Sequence, residues 1–212
     1  MNTTNRLAKR ALILIDVQNE YVTGKLPIEY PDVKLSLANI AKAAQGAIRA
    51  GIPIVVVQQS APAGSQIFAK GSPGWELHET VATLPLAHHV EKALPSAFTG
   101  TGLQDWLRRH RIDTLVIAGY MTQNCNDATT RQALHEGWAV EYLDDATGAL
   151  SYSNRAGHAS AKDIHEIYRV VLQSRFAAVM STQEWLDMLE QDTQPERDNV
   201  YSSNQRARRV AA

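Results

Sequence analysis

Three apolar runs constrain the fold more than any other feature of the chain: ALILID at 11–16, IPIVVVQ at 52–58 and DTLVIAG at 113–119. Each is rich in branched residues and does not alternate with polar ones, as expected for strands covered on both faces. Between the first two, Val33, Leu37, Ile40, Ala44, Ala47 and Ile48 recur at helical spacing. This predicts a helix over about 33–50, stopped by Gly51. Shorter segments continue the pattern. HHVEK (88–92), WAVEYL (138–143) and AAVM (177–180) read as strands. Helices are expected around Leu103–Leu107, from Cys125 to Glu136, over 154–168, and over STQEWLDML (181–189), which opens with a Ser-x-x-Glu capping box. Strands alternating with helices predict a single α/β domain over residues 11–190. It would be a mostly parallel six-stranded sheet with helices on both faces, in a Rossmann-like three-layer arrangement, flanked by terminal extensions at 1–10 and 191–212.

Two segments do not fit this alternation. Residues 60–85 hold Gly64, Gly71, Gly74, Pro62 and Pro73, and read as a long functional loop with at most a short helix near Trp75. The C-terminal stretch, with Arg206, Arg208 and Arg209, lacks apolar periodicity and reads as a mobile tail, the alternative being an arm on a neighbouring subunit. No apolar run is long enough for a signal-peptide core or a membrane span. A single cysteine cannot close an internal disulfide, which points to a reducing, cytoplasmic setting. A net charge of −1 gives no reason to expect a nucleic acid or an anionic membrane as partner. No Gly-x-Gly-x-x-Gly follows the first strand, which removes the support for a dinucleotide-binding domain.

In open α/β sheets, sites form beyond the carboxyl ends of the strands. Asp16 closes the first strand, Lys92 closes HHVEK, and Cys125 follows DTLVIAG by one turn, at a strand-to-helix join where a helix N-terminus favours thiolate. Taken singly, each has an ordinary reading as turn former, solvated charge or core residue. Together at one sheet edge they make a candidate general base, electrostatic stabiliser and nucleophile.

Three stretches, LILIDVQNEYV, EKALPSAFTGTGL and LVIAGYMTQNCNDATTRQALHEGWAV, resemble the isochorismatase-like cysteine hydrolase superfamily. That superfamily includes nicotinamidases, N-carbamoylsarcosine amidohydrolase and ureidoacrylate hydrolases. The resemblance runs from about Ala11 to Leu189 and implies a catalytic triad of Asp16, Lys92 and Cys125. It also implies an oxyanion site formed by the backbone N–H groups of Met121 and Cys125, a cis peptide at Tyr120–Met121, and a homo-oligomer, dimer or tetramer. The expected activity is cysteine-dependent hydrolysis of an amide or ureido C–N bond in a small molecule. Two alternatives stand beside it: a vinyl-ether hydrolase using Asp16 without a nucleophilic cysteine, and a binding protein on the same fold.

Nicotinamidases carry an Asp-x-His metal pair after strand two. This chain reads VVVQQSAPAGSQIF there, with Gln59 in the Asp place, so neither metal nor other cofactor is expected and His78, His88 and His89 read as structural or solvated. Gln18, Tyr21, Trp75 and Tyr120 are the candidate substrate-facing residues. Gln123 and Asn124 precede the cysteine and Asn126 follows it; they either reach the pocket or cap the helix, and capping is the reading for Asn124. Asp144 and Asp145 read as turn or cap residues, and Arg131 as one side of a structural ion pair.

Overall fold

The computed structural model describes residues 8–210; most of the basic N-terminal extension lies outside them. The chain runs β1 (Arg10–Ile15), α1 (Val33–Arg49), β2 (Ile54–Gln59), α2 (Glu79–Ala82), β3 (His88–Lys92), α3 (Leu103–Arg109), β4 (Thr114–Tyr120), α4 (Asp127–His135) and β5 (Ala139–Gly148). It continues through a hairpin of β6 (Tyr152–Asn154) and β7 (Gly157–Ala159), then α5 (Ala161–Gln173), β8 (Ala178–Met180), α6 (Thr182–Gln191) and α7 (Val200–Val210). Six strands form one parallel sheet in the order β3-β2-β1-β4-β5-β8.

The continuous apolar runs are explained by the two faces they serve. Leu12, Leu14, Val56 and Val116 pack with Ile40, Ala44 and Ala47 of α1 and Trp185 of α6. Their neighbours Ile13, Ile15, Val55 and Ile117 point the other way, onto Leu103 and Leu107 of α3, Ala133 of α4 and Leu172 of α5. Each fully buried aliphatic side chain of this kind contributes about 1.5–3 kcal/mol relative to exposure. Strand order reverses between β1 and β4, so the crevice beyond their carboxyl ends is the expected position for a site. The two strands approach closely there. A Cβ on Gly119, whose φ is 110°, would stand 2.0 Å from the Ile15 carbonyl oxygen.

Several expectations differ from the structure. The helix expected from Cys125 begins instead as a π-helical turn over Thr122–Asn126, with α4 starting at Asp127. β5 does not stop at residue 143. Its carboxylates hold neighbouring helices while the backbone continues: Asp144 pairs with Arg169 at 2.5 Å, and Asp145 accepts from the Thr182 N–H at 2.8 Å, at the start of α6. The helix expected over 154–168 is displaced by the β6–β7 hairpin. It starts only where the Ser160 hydroxyl accepts from the Asp163 N–H. The loop near Trp75 is a series of turns, and its one short helix, α2, lies further on, with His78 accepting from the Thr80 N–H. The C-terminal segment read as a mobile tail holds α7. The Asn199 side chain accepts from the Ser202 N–H at its start, and none of its residues is buried. The Ser181–Glu184 capping box and the Arg131 ion pair, here with Asp127, are present.

Candidate active site

Asp16 leaves β1 with a left-handed φ of 51°, a conformation that Asp adopts more readily than most residues. Its N–H donates to the Val57 carbonyl at 2.8 Å, which ties it to the end of β2. Lys92, the last residue of β3, is buried and reaches under β2. Its Nζ stands 2.8 Å from Asp16 Oδ2, donates to Cys125 Sγ at 3.2 Å, and donates to Gln59 Oε1 at 2.7 Å. The buried ammonium thus has one counter-ion and two hydrogen-bond acceptors, the compensation a buried cation requires. Gln59 was not anticipated at this centre. Its signal was positional: it closes β2 and stands in register with Lys92 across the β2–β3 pair.

Burial pushes the Cys125 thiol up to about 12, with the Asp16 charge adding to the rise and Lys92 opposing it. Burial beside the Asp16 carboxylate thus favours the thiol, against the pull toward thiolate of a strand-to-helix join. The reason is that Cys125 lies inside the π turn, buried beside a carboxylate, rather than at the first residue of α4. Burial also raises Asp16 above its ordinary value, although the Lys92 charge works against this. For Lys92, burial alone would lower the value, but the Asp16 charge and the contacts with Asp16 and Cys125 outweigh it and hold the ammonium above its usual range. A raised carboxylate beside a neutral thiol is matched to accept that thiol's proton.

Above Cys125 lies a cavity of about 270 Å³. Tyr21, Phe68 and Met121 contribute to its walls, with Tyr21 and Phe68 packed at 5.2 Å between ring centroids. Tyr21 is the one residue of the four substrate-facing candidates that lines it. Gln18 is fully buried and clamps the loop: its amide donates to the Gln59 and Trp75 carbonyls and accepts from the Gln59 N–H. Trp75 donates through Nε1 to the Ser60 hydroxyl at 2.7 Å. Tyr120 is buried with its hydroxyl 2.7 Å from Ser36 on α1. The Tyr120–Met121 peptide is cis. Asn124, read as a cap, instead lines the cavity and makes no side-chain cap to the turn or to α4. Gln123 lines a separate groove with Tyr152 and Tyr168, and Asn126 is buried, donating to the Gly119 carbonyl at 2.8 Å.

The histidines have local partners. His88 stacks on Trp106, His89 bonds Gln58, and His78 bonds Thr80. Among the described residues, no group of three or more His, Cys, Asp or Glu side chains is arranged to hold a metal ion. No described helix is long and apolar enough to cross a membrane.

The crystal structure of an isochorismatase-type protein from Burkholderia xenovorans LB400 is 58% identical and superposes with a TM-score of 0.95, covering 98% of this chain and 100% of that one. A streptothricin hydrolase of Streptomyces noursei is 30% identical over 168 residues, which is 79% of this chain and 58% of that protein. A ureidoacrylate amidohydrolase of Methylobacterium radiotolerans is 28% identical over 169 residues, 64% of this chain and 66% of that protein. The isochorismatase domain pattern matches residues 10–184, and with its single parallel α/β domain the chain belongs to the isochorismatase family of hydrolases.

Proposed function

We propose that this hydrolase is a cysteine-dependent amidohydrolase that cleaves an amide or ureido C–N bond of a small molecule through an acyl-enzyme on Cys125. The observation that carries this reading is the Lys92 ammonium bridging the Asp16 carboxylate and the Cys125 sulfur beneath the cavity. Asp16 takes the thiol proton as sulfur adds to the carbonyl carbon, and the oxyanion is met by the backbone N–H groups of Met121 and Cys125. Collapse breaks the C–N bond, and the proton held on Asp16 passes to the leaving nitrogen. Water then gives a proton to Asp16 and adds to the thioester. As the C–S bond breaks, that proton returns to sulfur and the acid departs. Lys92 keeps charge balanced as the negative charge moves from Asp16 to sulfur and back.

The names of the streptothricin and ureidoacrylate hydrolases support hydrolysis of this kind. A single free cysteine fits a reducing, cytoplasmic setting, and a homo-oligomer is the expected assembly. A panel of small amides and ureido compounds, assayed for ammonia or amine release, tests the reaction class. Release from at least one compound by the parent protein and from none by Cys125→Ala is expected; equal release by both removes the reading.

A further inference from the structure

No charged side chain lines the cavity over Cys125. Tyr21, Leu26, Ile67 and Phe68 come from the loops after β1 and β2, and Pro95 and Met121 from those after β3 and β4, so each of these four loops supplies an apolar wall. The lysines of the same loops are engaged elsewhere: Lys25 donates to the Gln66 carbonyl and Lys70 pairs with Glu91, each at 2.7 Å. Beneath the cavity, Asp16 and Lys92 are fully buried and neutralise each other. The polar side chains that remain beside Cys125 are Gln59, whose Oε1 is committed to Lys92, and Asn124. The Asn124 carboxamide has no hydrogen-bond partner among the described residues, and it offers both a donor and an acceptor.

A carboxylate entering this space would lose its water without gaining a counter-ion, whereas a neutral amide loses little and finds Asn124. At about 270 Å³, the space falls below the range of roughly 300–1,000 Å³ typical of drug-sized ligands. We propose that the cavity takes an uncharged carboxamide or urea with a compact apolar body, oriented by Asn124, and rejects carboxylated analogues of the same size. This rests on the amidohydrolase reading above and narrows its substrate class.

The test compares 4-methylpentanamide with succinamate, which match in shape and heavy-atom number and differ in the charge at the end remote from the amide. The expected result is a kcat/KM favouring the neutral amide by about 100-fold or more, since the charged end finds no partner. Ile67→Arg, at a wall position that is 36% exposed, should raise succinamate turnover by about tenfold relative to the parent by supplying that partner. Succinamate matched or favoured in the parent, or no gain with Ile67→Arg, overturns the proposal. The same two compounds titrated calorimetrically into Cys125→Ser separate the cavity from the chemistry. Tighter binding of the neutral amide supports the cavity assignment even if neither compound is hydrolysed and the amidohydrolase reading fails. Equal or tighter binding of succinamate, or no binding of 4-methylpentanamide, overturns it.

Discussion

Lys92 Nζ lies 3.2 Å from Cys125 Sγ with both side chains buried, and the same ammonium holds Asp16 at 2.8 Å. Removing the cation leaves a buried carboxylate without a partner, and breaking a buried pair in this way costs about 3–5 kcal/mol. Lys92→Met should therefore both abolish turnover and lower the urea midpoint by the corresponding amount. An unchanged midpoint would mean that Asp16 is not charged in the resting protein.

Gln59 accepts a hydrogen bond from the same ammonium. A hydrogen bond to a charged group contributes about 1.5–3 kcal/mol. Gln59→Ala should lower kcat/KM by about tenfold or more, mainly through kcat, because Lys92 loses one of its two hydrogen-bond acceptors while the apolar walls of the cavity remain. A loss confined to KM would make Gln59 a substrate contact instead of a support for Lys92.

The thiol at about 12 sets a pH dependence with a definite sign. In the unfolded chain the cysteine returns to its ordinary value near 9, so between pH 9 and 12 the unfolded state loses the proton that the folded state keeps. Stability from this group is complete below pH 9 and is lost as the pH rises through 12, by about 4 kcal/mol across the window. Denaturant midpoints of the parent should fall more steeply than those of Cys125→Ala over this range. Alkylation of Cys125 by iodoacetamide should likewise keep accelerating well past pH 9 instead of levelling there.

Gly119 occupies the closest approach of β1 and β4. A methyl group there would meet the Ile15 carbonyl at 2.0 Å, on a backbone whose φ of 110° strains any L side chain. Gly119→Ala should lower the melting temperature by several degrees or prevent folding, since such strain alone costs about 1–3 kcal/mol. A melting curve matching the parent would show that the two strands can separate without loss.

The sheet was legible in the sequence because strands buried on both faces admit few substitutes for Val, Ile, Leu and Ala; Leu12 and Ile13 serve opposite layers of one core. The ends of elements were less legible. Asp144 and Asp145 look like terminators until Arg169 and Thr182 are seen to take their charge and lone pairs, and β5 continues through them. Asp16, Lys92 and Cys125 could be brought to one edge from topology alone, since each ends or follows a strand. Side-chain direction could not. Gln18 and Tyr120 stand beside the centre in sequence, yet their polar atoms are held by Trp75 and Ser36, whereas Gln59 and Asn124 face it.

The central claim is that Cys125 forms a covalent intermediate, and intact-mass spectrometry of the protein quenched during turnover tests it most directly. The parent should carry an added acyl mass on Cys125. Cys125→Ala should carry none and lose activity, and Cys125→Ser should be slower by at least about two to three orders of magnitude. If Cys125→Ala instead turns over near the parental rate with no adduct in either protein, while Asp16→Asn is inactive, the cysteine is not the nucleophile and a vinyl-ether hydrolase using Asp16 is the correct reading.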